Sequence, residues 1–173
     1  MKHILLFISI LTLSACGGGS GNKNSEIEES VDEEKIFNLQ NIRFDSKDYY
    51  EGEQITVTEG TRFEVQWVSP TAASYKIDLY LSTSAEEYSD SNKIVGLKCG
   101  NTSFSLCPNA TGEVQCEIAD NELSCSIEDD FLGSKRFQDK DLSNLTFIIK
   151  GCDALNNCDV KAFDFLVQSN TDA

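Results

Sequence analysis

Hydrophobic and polar residues alternate along two neighbouring stretches of the chain, residues 62–68 and 75–82. An alternation with a period of two places one side of a strand in a core and the other side in water. The pattern therefore predicts two strands of an antiparallel sheet, with a break at Pro70 between them. The apolar positions are Phe63, Val65 and Trp67 in the first stretch and Tyr75, Ile77, Leu79 and Leu81 in the second.

Similar short runs recur along the chain without a long helical period, which favours an all-β sandwich or barrel. A single helical turn is predicted over residues 129–132, closed by Gly133. Turn residues such as Glu51-Gly52, Glu59-Gly60 and Asp120-Asn121 separate the runs. The predicted strands are 36–44, 54–58, 62–68, 75–82, 93–98, 113–118, 122–127, 145–151 and 159–167.

Two local motifs resemble immunoglobulin-like modules. Trp67-x-x-Pro70 followed by Tyr75-x-Ile77-x-Leu79 resembles the B and C strands of fibronectin type III domains. The run from Asp153 to Asn157 is similar to the turn between the last two strands of bacterial immunoglobulin-like modules. The resemblance implies an immunoglobulin-like, fibronectin III-like antiparallel β-sandwich with local disulfides over residues 36–169.

The N-terminus has the pattern of a targeting segment. Lys2 is followed by an apolar run from Ile4 to Leu13, which is too short to span a bilayer core of about 30 Å. The run ends in Leu13-Ser14-Ala15-Cys16, which resembles the lipobox of bacterial lipoproteins. The resemblance implies a signal peptide at 1–15, cleavage before Cys16 and acylation of Cys16 with fatty acids such as palmitate. An ordinary secretory signal is the alternative.

The residue after Cys16 is Gly17, whereas lipoproteins retained in the inner membrane tend to carry Asp there. The resemblance therefore implies a bacterial envelope protein that is lipid-anchored in the outer membrane. Residues 17–21 are rich in glycine, and residues 26–34 are mostly acidic, so residues 16–35 are interpreted as the lipidated Cys and a flexible acidic tether. A calcium or cationic-partner site is the alternative for the acidic run, and residues 170–173 form a C-terminal tail.

The chain has seven cysteines, and six remain when Cys16 carries lipid. An even number in an exported chain predicts disulfides. A two-residue turn at Asp120-Asn121 would pair Ala119 with Glu122. It would then place Cys116 opposite Cys125, with Cα atoms about 4.5 Å apart.

The other two disulfides are predicted from where the cysteines lie in the sequence. Cys152 and Cys158 flank the turn at 153–157, and Cys99–Cys107 remains by elimination. None of the cysteine spacings fits the C-x₂₋₄-C pattern of zinc sites. The predicted bridges are therefore Cys99–Cys107, Cys116–Cys125 and Cys152–Cys158, and no metal site or cofactor is predicted.

Catalytic chemistry is restricted by the composition. The single histidine, His3, lies in the predicted signal peptide, so a mature chain would lack the histidine of Ser-His-Asp and Cys-His centres. With the cysteines paired, no thiol nucleophile remains. We therefore expect no enzymatic activity and no catalytic residues. A carboxylate pair of the glycosidase type keeps a carbohydrate-acting enzyme or enzyme accessory as an alternative.

Calcium ligation of the EF-hand type is also disfavoured. Asp45-x-x-Asp48-x-x-Glu51 and Asp139-x-Asp141-x-Ser143 have suggestive spacing. An EF-hand loop needs glycine at its sixth position, where these runs carry Tyr50 and Asn144. A loop calcium site of another type stays open.

Partner binding is the remaining interpretation. Trp67 is expected in the core, whereas Tyr49, Tyr50 and Tyr88 lie in predicted loops and are candidates for ligand contact. The formal net charge is −15, and loss of Lys2 with the signal makes it −16, which would repel nucleic acid. We expect a non-enzymatic, lipid-anchored module that binds a protein or glycan; a structural component of an envelope assembly is a further alternative.

Overall fold

The computed structural model describes residues 37–69, 74–100, 107, 111–137 and 144–169. The predicted signal peptide, Cys16, the tether and the C-terminal tail lie outside these residues. In the described ranges, no helix is long and apolar enough to cross a membrane. Every regular element there is a β-strand. They are β1 (Gln40–Phe44), β2 (Lys47–Asp48), β3 (Gln54–Thr58), β4 (Arg62–Val68), β5 (Tyr75–Ser82), β6 (Lys93–Cys99), β7 (Thr111–Ala119), β8 (Glu122–Ile127), β9 (Asp130–Arg136), β10 (Leu145–Asp153) and β11 (Cys158–Gln168).

The strands form two sheets. One has six strands in the order β2-β1-β4-β7-β8-β9, and the other has five in the order β3-β11-β10-β5-β6. Neighbouring strands are antiparallel, except that β3 runs parallel to β11. The predicted all-β, sandwich-like architecture with local disulfides is confirmed. The prediction that residues 62–68 and 75–82 belong to one sheet is wrong, because β4 lies in the six-stranded sheet and β5 in the five-stranded sheet. Alternation shows that each strand has one buried side, but it does not show which strands pair.

The core is the layer of side chains between the two sheets. Phe44 of one sheet contacts Phe147 of the other at a ring-centroid distance of 5.4 Å, and Phe63 contacts Phe165 at 5.8 Å. Complete burial of one such large apolar side chain contributes about 1.5–3 kcal/mol. The largest fully buried side chains are Trp67, Phe147, Phe163, Phe165, Ile55, Ile77, Leu79, Leu81, Leu97, Ile118, Leu123 and Ile148.

The β7–β8 hairpin has the register predicted from its turn. Asp120 and Asn121 both have positive φ angles, 51° and 59°, as a two-residue turn between twisted strands requires. Ala119 pairs with Glu122, and Cys116 lies opposite Cys125 with the Cα atoms 4.1 Å apart. Alternation along both strands then places the disulfide in the core, where both cysteines are buried.

The other two bridges also have the predicted connectivity. Cys152 and Cys158 are the last pair of the β10–β11 ladder, and Cys99 bonds Cys107 across the loop that follows β6. The turn between Cys152 and Cys158 is organised by Asp153, whose carboxylate accepts hydrogen bonds from the backbone N–H groups of Leu155 and Asn157. A side-chain bond from Asn157 contributes most to lowering the pKa of Asp153.

The helical turn predicted over residues 129–132 is wrong, because these residues enter strand β9. Glu128, with a φ of 52°, reverses the chain so that β9 pairs with β8. Gly133 does not close a helix. It allows β9 to approach the other sheet, since a Cβ there would lie 2.3 Å from the carbonyl oxygen of Ile94 on β6. Strand β2, only two residues long, was also not predicted.

Candidate functional site

The three tyrosines predicted to contact ligand differ in their surroundings. Tyr49 is half-buried, and its ring meets the ring of Phe44 edge-on at 5.6 Å. Tyr50 follows it and is 75% exposed. Tyr88 lies on the β5–β6 connection and packs on Tyr80 at 6.1 Å. Of the three, only Tyr50 presents most of its ring to solvent.

A shallow depression lies on the outer face of the six-stranded sheet, across β7, β8 and β9. Its volume is about 190 Å³, and we refer to it as the β7–β9 trough. Phe131 on its wall is 70% exposed. On the opposite wall, the Arg62 Nε atom lies 3.5 Å from Glu117 Oε2. The remaining lining residues are Gln115, Cys116, Ser124, Cys125, Ser126, Glu128 and Asp129.

The trough follows from the strand pattern. Since Cys116 and Cys125 point into the core, the residues next to them in each strand point outward. The outward positions of β8 carry short side chains, Ser124 and Ser126, which lie between Gln115 and Glu117 of β7 and Phe131 of β9. The short serines form the floor, and the longer side chains form the walls.

Sequence reasoning missed Phe131 because β9 was predicted as a helical turn. A signal was present, since Glu128-Asp129 can serve as a two-residue hairpin turn. That turn pairs Ile127 with Asp130 and the outward-facing Ser126 with Phe131, which is the observed register. Phe131 then faces solvent in the middle of a polar surface.

Glu64 and Glu113 form a carboxyl pair on the same sheet face. Gln66 Nε2 donates to Glu64 Oε1 at 2.7 Å and to Glu113 Oε2 at 3.1 Å. The pKa of Glu64 is raised, chiefly by its hydrogen bond with Glu113 and then by partial burial. Glycosidase carboxyl groups stand about 5–10 Å apart, on either side of the bond they cleave. The Gln66 amide instead binds both carboxyl groups from one nitrogen atom, which holds them close together.

The residues of the first calcium-like run are bonded within the protein. Asp45 Oδ1 accepts a hydrogen bond from the backbone N–H of Glu64, at 2.8 Å. Asp48 pairs with Arg43 at 2.7 Å, and Glu51 lies 3.8 Å from Lys161 Nζ. The second run, at 139–143, lies outside the described residues. Within the described ranges, no three His, Cys, Asp or Glu side chains converge as a metal-binding group.

A charged cluster lies on the outer face of the five-stranded sheet. Asp78 is only 8% exposed and forms ion pairs with Lys93 and, at 3.3 Å, with Lys76. Tyr80 lies beside it, and burial followed by the Asp78 charge raises the pKa of Tyr80 to about 12. The phenol is therefore protonated at neutral pH. Tyr88 and the β5–β6 connection cover this part of the sheet.

The chain matches no protein-family model and no curated protein.

Proposed function

We propose that this chain is a non-enzymatic, lipid-anchored protein of the bacterial envelope that displays a β-sandwich to a protein or glycan partner. Acylation of Cys16 would hold it in the outer membrane, and residues 16–35 would act as the spacer. The observation that carries the binding function is Phe131, a large apolar side chain exposed on the wall of the polar β7–β9 trough.

The chemistry of the trough favours a hydrated group of a partner. Buried small-molecule sites are mostly apolar and enclose the ligand. The trough instead combines one aromatic ring with serine hydroxyl groups, carboxylates and the Arg62 guanidinium. An aromatic ring supplies contact area at a small loss of conformational entropy, while the polar groups provide hydrogen bonds. A sugar unit or a polar peptide segment fits this combination.

We propose further that the sandwich is immunoglobulin-like. In that fold, strand B neighbours strand E, and strands C, F and G are adjacent. The pairs β4–β7 and β5–β10–β11 support this assignment, with β4 as B and β5 as C. The departure is at strand D, because β8 and β9, which follow β7, take the place beside E.

The two alternative functions have weaker support. A carbohydrate-acting enzyme or accessory would use the carboxyl pair of Glu64 and Glu113, which the Gln66 amide holds close together. A structural component of an envelope assembly would use a long free strand edge. The seven-residue edge strands β6 and β9 instead pack against each other through Gly133 and Ile94.

Photo-cross-linking in cells tests the binding surface. A photoreactive phenylalanine analogue at position 131 is expected to give an adduct, because Phe131 would contact the partner. The matched control is position 155, since Leu155 is 74% exposed in the β10–β11 turn. Protease and glycosidase digestion of the adduct would separate a protein from a glycan. Equal adducts at both positions, or none at 131, would contradict the proposed surface.

A further inference from the structure

The three disulfides differ in their exposure to solvent. Cys158 is exposed, and its partner Cys152 is half-buried. The other two bridges lie inside the sandwich, because none of their cysteines is more than 3% exposed. These cysteines are Cys99, Cys107, Cys116 and Cys125. The Cys152–Cys158 bridge is therefore the one that solvent reaches in the folded protein.

The position of Cys158 in its sheet explains this exposure. Strand β10 pairs with β11 over a long ladder whose last pair is Cys152 and Cys158. Strand β3, the other neighbour of β11, pairs with it only from Asp164 to Gln168. At Cys158, within the described residues, β11 therefore has a paired strand on the side of Cys152 and none on the opposite side.

This arrangement favours thiol–disulfide exchange at Cys158. In that reaction a thiolate attacks one sulfur atom along the S–S axis, and the rate depends on access to that atom. The S–S bond crosses from β10 to β11, so the Cys158 sulfur is attacked from the side where β11 has no paired strand. Attack on the Cys152 sulfur would come from the side of β5, where Lys76 is the residue paired with Cys152.

We propose that Cys158 is a site of reversible modification by a low-molecular-weight thiol. The thiolate of the small molecule bonds to the Cys158 sulfur and the bond to Cys152 breaks. The electron pair leaves with the Cys152 sulfur, which takes up a proton from water. A second small thiolate then attacks the small-molecule sulfur of the mixed disulfide. Cys158 becomes a thiol, and two small thiols are oxidised to their disulfide.

The departing Cys152 sulfur has open space beside it. Cys152 lines a depression of about 180 Å³ next to the β10–β11 turn, together with Tyr75, Lys76 and Asp153. Charged side chains of both signs line this depression. A thiol at Cys152 can therefore be accommodated there without a displacement of β10.

The turn between the two cysteines does not depend on the bridge alone. The Asp153 carboxylate accepts hydrogen bonds from the backbone N–H groups of Leu155 and Asn157 and from the Asn157 side chain. The backbone N–H of Asp153 also donates to the Asn157 carbonyl oxygen at 3.0 Å. After reduction the turn therefore keeps the two thiols opposite each other, and exchange with a small-molecule disulfide re-forms the bridge.

The test treats the folded full chain with glutathione near pH 8, where part of the glutathione is thiolate. Free thiols are first blocked with N-ethylmaleimide, so the result does not depend on whether Cys16 is acylated. Acid stops the exchange, new thiols are labelled with deuterated N-ethylmaleimide, and peptide mapping assigns each cysteine. We expect glutathione on Cys158 and the new thiol on Cys152. The buried bridges should react about tenfold or more slowly, because the sandwich must open first.

The matched control is the same chain unfolded in urea. The three bridges close loops of similar length, with sequence separations of 6 to 9, so the preference for Cys152–Cys158 should disappear there. Trp67 emission reports whether the native sample stays folded during the exchange, because Trp67 is fully buried. Addition of oxidised glutathione to the reduced, folded chain should restore the bridge.

Two single variants test which sulfur atom is accessible. Cys152→Ser leaves a thiol at Cys158, and Cys158→Ser leaves one at Cys152. With oxidised glutathione, the thiol at Cys158 should form the mixed disulfide about threefold or more faster, because it is the more accessible. The proposal is overturned if the two variants react at equal rates or if no glutathione adduct forms on the folded chain. It is also overturned if the adduct lies mainly on Cys152 or if a buried bridge is reduced as fast as Cys152–Cys158.

Discussion

At the scale of single residues, Trp67 depends on the glycine that faces it across β4 and β7. Trp67 is fully buried, and its Nε1 atom donates a hydrogen bond to the hydroxyl group of Tyr75 at 3.3 Å. A Cβ atom on Gly112 would lie 2.2 Å from Cε2 of the indole ring. The indole ring therefore occupies the space that any side chain at position 112 would need.

Gly112→Ala is expected to destabilise the protein by about 1–3 kcal/mol, because the added methyl group overpacks the core. Urea unfolding gives the free energy, and a change in Trp67 emission reports the displaced ring. Gly96→Ala is the matched control, because the atoms nearest its Cβ would be side-chain ends of Asp78 and Lys93 rather than an aromatic ring. A smaller loss and unchanged emission are expected there. Equal losses in the two variants would contradict the account of Gly112.

Glu64 gives a prediction about pH. Its pKa is raised in the folded protein, so the folded state favours the protonated carboxyl group. The stabilisation is present at acidic pH and is lost as the pH rises through the folded pKa. Glu64→Gln removes repulsion from Glu113 at neutral pH, so the variant should exceed the wild type in stability by at most about 1 kcal/mol there.

Near pH 4 the stability difference between Glu64→Gln and the wild type should vanish, because Glu64 is then largely protonated. Thermal unfolding at the two pH values measures both differences. Glu59→Gln, in the β3–β4 turn, removes a carboxyl group elsewhere in the protein and is the control. A Glu64→Gln variant less stable than the wild type at pH 7 would contradict the inferred repulsion between Glu64 and Glu113.

At the scale of elements, the sequence pattern predicted the strands, the turn and the disulfides that local interactions determine. The nine predicted strands all exist, and the two-residue turn at Asp120-Asn121 determined the register of β7 and β8. The bridges were predictable because each closes a short loop, of 6 to 9 residues in sequence separation.

Long-range contacts were not predictable in the same way. Gly133 allows β9 to approach Ile94 on the other sheet. The residues next to Gly133 in the sequence do not indicate that approach. Because β9 was not predicted as a strand, neither the exposure of Phe131 nor the trough beside it was predicted. The parallel pairing of β3 with β11 joins residues more than a hundred positions apart, such as Ile55 and Phe165. The tyrosines were placed in loops correctly, but their packing on Phe44 and Tyr80 depends on the fold.

The β7–β8 hairpin provides an element-scale prediction. Replacing both Cys116 and Cys125 with Ala should cost no more than about 3 kcal/mol, because the bridge closes a short loop. Amide hydrogen exchange should accelerate in this hairpin before it does near Trp67. Unfolding in urea and exchange by mass spectrometry measure the two effects. Simultaneous acceleration throughout both sheets would show that the bridge stabilises the whole sandwich rather than its own hairpin.

At the scale of the whole molecule, the two outer faces of the sandwich differ in chemistry. The six-stranded sheet presents the β7–β9 trough and the Glu64–Glu113 pair, whereas the five-stranded sheet presents Asp78 with its ion pairs to Lys76 and Lys93. The proposed lipid anchor would give this domain its location, and the trough would give it a binding surface. Anchoring is the central claim, because display at a membrane surface depends on it.

Intact-mass analysis of the form isolated from membranes tests that claim most directly. We expect a chain that begins at Cys16 and carries the added mass of fatty acyl chains, two or more of which anchor stably. Cys16→Ser should lack this mass and remain unprocessed at that site. A membrane form with no acyl mass, or one cleaved at another position, would contradict the lipid-anchored account.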